Sequence, residues 1–186
     1  MRRVGVFGGS FNPPHVAHVL ACALVCSVEE IDQLLVVPAF QHPFAKALAA
    51  FDDRVTMCEL AMSWMPQVEI SRVEEHLGGE SRTLRTLETL SRSHPDWKLR
   101  LVIGADIVTE APRWFGFEAI AKLAPPIVLE RAGFQGPGAG PALLPEVSST
   151  KVRDGIARGA WTEVEKLVPR RVLEHIRARG LYAAAG

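Results

Sequence analysis

The chain has no excess charge of either sign: 21 Lys and Arg are matched by 21 Asp and Glu among 186 residues. That balance excludes the global basic field that holds proteins on nucleic acid or anionic membranes, so any anion site must be built locally. Long apolar runs are also missing. Charge or proline breaks each within about a dozen residues, too few to span a bilayer. Arg2-Arg3 leads into a short strand pattern and a glycine pair rather than the apolar core of a secretory signal. Cysteines are few and odd in number, and Cys22, Cys26 and Cys58 sit within helical patterns. This is the usage of buried thiols in a reducing, cytoplasmic compartment rather than of a disulfide scaffold. Three common catalytic signatures are absent: G-x-x-x-x-G-K-[ST], G-x-G-x-x-G and G-x-S-x-G. Their absence removes the P-loop, the dinucleotide fingerprint and the serine nucleophile elbow.

What is present is an ordinary globular composition, 48% hydrophobic and 23% charged, which argues against disorder and suits one domain of this length. The chain is organised around Val4 to His18. Val4, Val6 and Phe7 read as a buried strand, Gly8-Gly9-Ser10 as a tight turn, and Val16 to Val25 as a helix entered through Pro13-Pro14. Strand, glycine turn and helix together present unpaired N–H groups and the positive end of a helix dipole to an anion. Glycine turns of this kind also occur in domains that bind nothing there. His15 and His18, spaced i and i+3 on the first helical turn, add two imidazoles converging on the same point. His18, Cys22 and Cys26 look like a metal series, but about 12 Å of helix rise separates the outer two. No single zinc ion could reach all three at about 2.0–2.3 Å. No protein metal site is expected.

Further along, Gln33 to Pro38 reads as a fully buried strand, 39–50 as a loop, Phe51 to Met65 as an amphipathic helix with Asp52-Asp53 in its first turn and Trp64 on its apolar side, and Val68 to Val73 as a strand. A helix capped by Ser81 or Thr83 runs to about Ser91. Leu99 to Ile103 is a strand ending in Gly104-Ala105-Asp106, and Ile127 to Glu130 is another. This alternation describes a doubly wound parallel sheet, whose ligands lie beyond the carboxyl ends of its strands. Residues 133–145, rich in glycine and proline, read as a flexible connection between a core of 1–132 and a segment of 146–186. Ser148-Ser149-Thr150 then opens a second helix carrying Lys151 and Arg153, a second anion site or simply a capped helix with solvated bases. Two short helices close the chain, Pro169 opening the last, with Val172, Leu173 and Ile176 facing the body.

Two phosphate-seeking helix ends without an activated nucleophile suit direct displacement on a nucleoside triphosphate. At this point a resemblance is apparent. Gly8-Gly9-Ser10-Phe11-Asn12-Pro13-Pro14-His15-Val16-Ala17-His18 resembles the GG[ST]F[DN]PxHxGH motif of the nucleotidylyltransferase superfamily, and Ser148-Ser149-Thr150-Lys151-Val152-Arg153 resembles its SSTxxR motif. Ile103-Gly104-Ala105-Asp106 with Arg113-Trp114, the stretch Ser81 to Leu87, and the ending Ile176 to Tyr182 resemble the bacterial nicotinate-nucleotide adenylyltransferases.

The resemblance implies a Rossmann-like α/β fold with a small C-terminal helical region. It also implies transfer of AMP from ATP to nicotinate mononucleotide with Mg²⁺, yielding deamido-NAD and pyrophosphate in NAD biosynthesis. On that basis His15, His18 and Arg153 are the catalytic candidates. Gly8, Gly9, Ser10, Phe11, Gly104, Asp106, Ser149 and Thr150 would bind ATP. Trp114 would stack on the pyridine ring, backbone N–H groups near Thr83 and Phe115 would receive the nicotinate carboxylate, and Lys46 or His42 would meet phosphate. Ala17 replaces the glycine of the pattern, placing a methyl near the phosphate path, while Arg82 and Arg85 bear on the choice of acceptor. The partners implied are small molecules, with no nucleic acid and no membrane; a homo-oligomer is compatible with the sequence. The alternatives are a nicotinamide mononucleotide or phosphopantetheine acceptor, and a non-catalytic nucleotide-binding protein of the same fold.

Overall fold

A computed structural model of the chain describes residues 1–41, 48–105, 116–130 and 144–184. Lys46, His42, Asp106, Arg113, Trp114, Phe115 and the 133–143 part of the connection lie outside these. Five parallel strands form one sheet in the order β3-β2-β1-β4-β5: β1 (Arg2–Gly9), β2 (Gln33–Pro38), β3 (Val68–Ile70), β4 (Trp97–Gly104) and β5 (Pro126–Leu129). The order reverses between β1 and β4, so the crevice of a doubly wound sheet opens where these two strands end.

Period-two alternation divides the strand residues between two cores. Val4, Val6, Leu35, Val37, Leu99, Leu101 and Ile103 face Leu87 and Leu90 of α4 (Thr83–Ser93) and Ile120 of α5 (Phe117–Leu123). Leu34, Val36 and Val102 face the other way, toward α1 (Val16–Val28) and α2 (Phe51–Met62). That second core also takes in α6 (Ser149–Ala157), α7 (Trp161–Val164) and α8 (Arg170–Arg179), with Val172, Leu173 and Ile176 packed inward as expected. Cys22 and Cys58 are buried free thiols, the Cys22 Sγ lying 3.5 Å from Met62 Sδ, and Cys26 is half-buried and free. No helix among the described residues is long and apolar enough to cross a membrane.

The structure corrects several local expectations. Gly8 and Gly9 are not the turn: they continue β1 and pair in register with Val37 and Pro38, and the chain turns after them. Strand β3 stops at Ile70, because Val73–Leu77 forms a short helix, α3. Helix α2 ends at Met62, which leaves Trp64 68% exposed rather than in the core. Neither Ser81 nor Thr83 caps α4. Arg82 occupies the cap position, and Ser81 Oγ instead accepts the Phe40 N–H at 2.8 Å, tying the segment after β2 to the start of α4.

Asp53 lies in the first turn of α2 as expected, and it is also buried and holds the C-terminal helix. Its Oδ1 lies 2.9 Å from His175 Nε2 and accepts from Arg179 Nε at 3.1 Å. Burial works to raise the Asp53 pKa, but the hydrogen bonds from Arg179 and His175 outweigh it and bring the carboxyl below its ordinary value. A depressed carboxyl stabilises the fold at pH values above its unfolded pKa and loses that contribution as pH falls through the folded one. Asp53→Asn should therefore lower Tm by several degrees at neutral pH, and the gap from wild type should close below about pH 4 in thermal melts across pH.

Candidate active site

The chain leaves β1 at Gly9 and must reverse into α1 within a few residues. Phe11 makes the turn with a left-handed φ of 44°, a conformation non-glycine residues hold only when their surroundings fix it. Its ring is 1% exposed and packs edge-on against Phe7 at 5.6 Å and against His18 at 4.9 Å between centroids. The flanking carbonyls are both held by arginine: Arg54 Nη1 donates to Ser10 O at 3.0 Å and Arg153 Nη1 to Asn12 O at 2.8 Å. The Asn12 side chain, buried, accepts the Tyr182 hydroxyl at 2.8 Å and the Ala49 N–H at 3.0 Å. Among the described residues no acceptor lies within reach of the Phe11 N–H. An N–H without a protein partner is available to solvent or to a ligand.

His15 is not in the helix proper. It is the N-cap of α1 in extended conformation, with φ −137° and ψ 174°, and His18 is the third helical residue. The His15 N–H donates to His18 Nδ1 at 3.1 Å, and the two rings stack at 3.8 Å between centroids. A nitrogen that accepts cannot carry the proton, so the neutral His18 ring bears it on Nε2. Capping therefore fixes the tautomer that offers Nε2–H as a donor. His15 and Phe11 pin the His18 ring from two sides, and aromatic pairs of this kind contribute about 0.5–1.5 kcal/mol each.

The second helix end arrives from 136 residues away in sequence. Ser148 caps α6 by accepting the Lys151 N–H at 3.2 Å, as its sequence suggests. Ser149 Oγ donates to Pro13 O at 2.9 Å, which docks α6 onto the β1–α1 turn. The Ser149 hydroxyl proton is thereby engaged, leaving the backbone N–H groups of Ser149 and Thr150 as the donors this helix end can offer an anion. Arg153 also donates to Thr150 Oγ1 at 3.3 Å and remains half-exposed, so its other N–H groups can face outward.

A Cβ built on Gly8 would meet nothing within 4 Å, whereas one on Gly9 would come within 3.2 Å of the Phe11 ring. Gly9 is thus explained by packing within the protein, while Gly8 borders open space at the mouth of the crevice. Gly104 ends the neighbouring strand β4. Ala17 is 6% exposed and is part of the hydrophobic core. Thr83 is the first residue of α4, whose first-turn N–H groups have no partner within the helix. Gly116, φ 73°, sits where a Cβ would lie 2.7 Å from Leu84 Cδ2, so α5 begins against the first turn of α4. Arg85 donates to the Leu77 and Gly78 carbonyls at the end of α3, and Arg82 pairs with Glu80 at 3.0 Å.

No local pattern marks Arg54, Asn12 or Tyr182 as site residues, and Tyr182 stands 170 residues from its partner Asn12. Asn12 and Tyr182 do fall inside the family-like stretches Gly8–His18 and Ile176–Tyr182.

A parallel sheet with a histidine-capped helix and a second helix end converging on its switch point defines a nucleotide-binding α/β protein. The cytidylyltransferase-like family model matches residues 6–155. A protein named "Probable nicotinate-nucleotide adenylyltransferase" from Anaeromyxobacter dehalogenans is 41% identical over 184 residues, covering 97% of both chains. One of the same name from Lactiplantibacillus plantarum is 31% identical over 97% of this chain and 88% of its own. In fold, the chain matches the Plasmodium falciparum nicotinic acid mononucleotide adenylyltransferase complexed with NaAD, with a TM-score of 0.84, 19% identity and 98% coverage of each chain. The chain belongs to the nicotinate-nucleotide adenylyltransferases of the cytidylyltransferase-like family.

Proposed function

We propose that this protein transfers AMP from ATP to nicotinate mononucleotide, releasing pyrophosphate and forming deamido-NAD for NAD biosynthesis, and that residues 1–186 act as one catalytic domain in the cytoplasm. What supports the reading is that the Phe11 turn, the His15–His18 pair and the first turn of α6 pack on one another just beyond the end of β1, where Gly8 borders open space. The acceptor's 5′-phosphate oxygen attacks the α-phosphorus of ATP. One P–O bond forms, the bond from the α-phosphorus to the bridging oxygen breaks, and the electron pair leaves with pyrophosphate.

No protein nucleophile is required, so the residues act by position and charge. His18 donates Nε2–H to oxygens on which negative charge grows, with His15 beside it. The N–H groups of Ser149 and Thr150 and the guanidinium of Arg153 hold the outer phosphates, and Gly8, Gly9, Ser10 and Phe11 line the inner ones. Gly104 and Asp106 border the ribose. Trp114 stacks on the pyridine ring, the N–H groups near Thr83 and Phe115 take the carboxylate, and Lys46 meets phosphate.

Among the described residues no group of three or more His, Cys, Asp and Glu side chains could hold a metal ion. Mg²⁺ would enter on ATP, a mode that needs no dedicated protein cage, while His18 and Arg153 would hold the phosphates that carry it. The ion would neutralise charge on the triphosphate that these residues grip.

The test follows the α-phosphate. With ATP labelled there, each pyrophosphate released should be matched by one labelled dinucleotide, with no label left on the protein. Label on the protein, or hydrolysis of ATP without dinucleotide, would contradict direct transfer.

A further inference from the structure

Among the described residues Arg54 is the largest fully buried side chain, 1% exposed in the first turn of a helix whose start is polar in sequence. Such burial is costly for a cation and lowers its pKa. Among the described residues it makes no ion pair with a carboxylate. It donates instead to four backbone carbonyls: Ala39 at 2.7 Å, Ser10 at 3.0 Å, Ala49 at 3.0 Å and Phe40 at 3.3 Å. These carbonyls come from the end of the β1 turn and from both sides of the loop that follows β2.

Nothing in core packing calls for a guanidinium at that place. An apolar side chain would fill the volume without the desolvation cost, and buried ion groups replaced by apolar ones often leave a fold as stable or more so. The geometry gives a different reason. The Ser10–Phe11 peptide is trans, so with Ser10 O turned to Arg54 the Phe11 N–H must point the opposite way. Phe11 stays in its left-handed conformation because Arg54 holds the carbonyl before it and Arg153 holds the carbonyl of the residue after it. Arg153 lies in the Ser148–Arg153 stretch, whereas Arg54 lies outside both that stretch and Gly8–His18.

We propose that Arg54 is a positioning residue of the nucleotide site: it orients the Phe11 N–H toward the phosphates, fixes both ends of the 39–50 loop beside them, and leaves one buried positive charge behind the triphosphate. This rests on the reading of that space as a triphosphate site. It adds that a side chain which never touches the nucleotide sets its affinity. A merely structural arginine would alter stability but not the affinity of the folded protein.

The test is calorimetric binding of a non-hydrolysable ATP analogue to wild type, Arg54→Lys and Arg54→Gln, each well below its own Tm. Arg54→Lys keeps the charge but cannot span four carbonyls from one nitrogen, and its Kd should rise about tenfold. Arg54→Gln also loses the charge, and its Kd should rise about a hundredfold. In turnover, KM for ATP should rise while KM for nicotinate mononucleotide changes less than about threefold. Folded variants with wild-type affinity for the analogue would overturn the proposal. Should neither variant fold, hydrogen exchange on wild type decides, since nucleotide binding must then slow exchange at residues 48–54 as well as 8–11. Unchanged exchange at 48–54 would overturn it. Binding without dinucleotide synthesis would instead count against the proposed reaction and leave the effect of Arg54 readable.

Discussion

Replacing His18 by alanine should lower kcat about 10²–10³-fold while the protein stays folded. The imidazole does two jobs that different substitutions separate. Its Nδ1 accepts the His15 N–H at 3.1 Å and so closes the first turn of α1, a capping interaction whose loss costs about 1 kcal/mol. In the proposed reaction its Nε2–H is the donor to the departing pyrophosphate. In His18→Asn the amide oxygen takes the place of Nδ1 and nothing replaces Nε2, so Tm should stay near wild type while kcat falls as far as in the alanine variant. In His18→Gln the amide nitrogen reaches roughly to the Nε2 position, so part of kcat should return. Thermal melts and steady-state kinetics on the three variants check both orders. If kcat tracked Tm across the series, His18 would be a cap and no more.

Substitution of Gly8 by alanine should dissociate stability from activity in the opposite sense. Gly8 lies within a paired strand, and its added Cβ would touch no protein atom within 4 Å. Strand glycines cost about 0.5–1 kcal/mol relative to alanine, so Tm should be unchanged or higher. The methyl would occupy the space assigned to phosphate, and kcat/KM for ATP should fall about a hundredfold, the order expected when a reacting group is displaced by about 1 Å. Gly9→Ala offers the contrast: its Cβ would press on the Phe11 ring at 3.2 Å, so stability and activity should fall together. A Gly8→Ala enzyme of full activity would remove the phosphates from this end of β1.

Much of this architecture was legible in the sequence because it is local or periodic. The apolar strands, the alternation of strand and helix, the histidine pair beside its glycines and the Ser148 cap each depend on residues a few positions apart. Long-range polar contacts were not legible. Asp53 is the first-turn acid that it reads as, but nothing in the sequence shows that it also grips His175 and Arg179, more than 120 residues away. Arg54 has no pattern in sequence that marks it, yet it collects carbonyls from two loops. No period or spacing encodes such pairings, since each exists only after the sheet has brought its strand ends together. The glycine pair misled in a simpler way. Glycine favours turns, but parallel pairing with Val37 and Pro38 keeps Gly8 and Gly9 extended, and the turn falls to Phe11.

The donors expected for the pyridine substituent are backbone N–H groups at the start of α4, which suit a carboxylate better than an amide. The most direct measurement is pyrophosphate release with ATP and Mg²⁺, run side by side with nicotinate mononucleotide and nicotinamide mononucleotide as acceptors. The expected result is rapid release with the nicotinate acceptor and at least about tenfold lower kcat/KM with the nicotinamide one, the worth of one charge-assisted hydrogen bond. Equal rates would contradict the carboxylate site, and release with neither would contradict the assigned reaction.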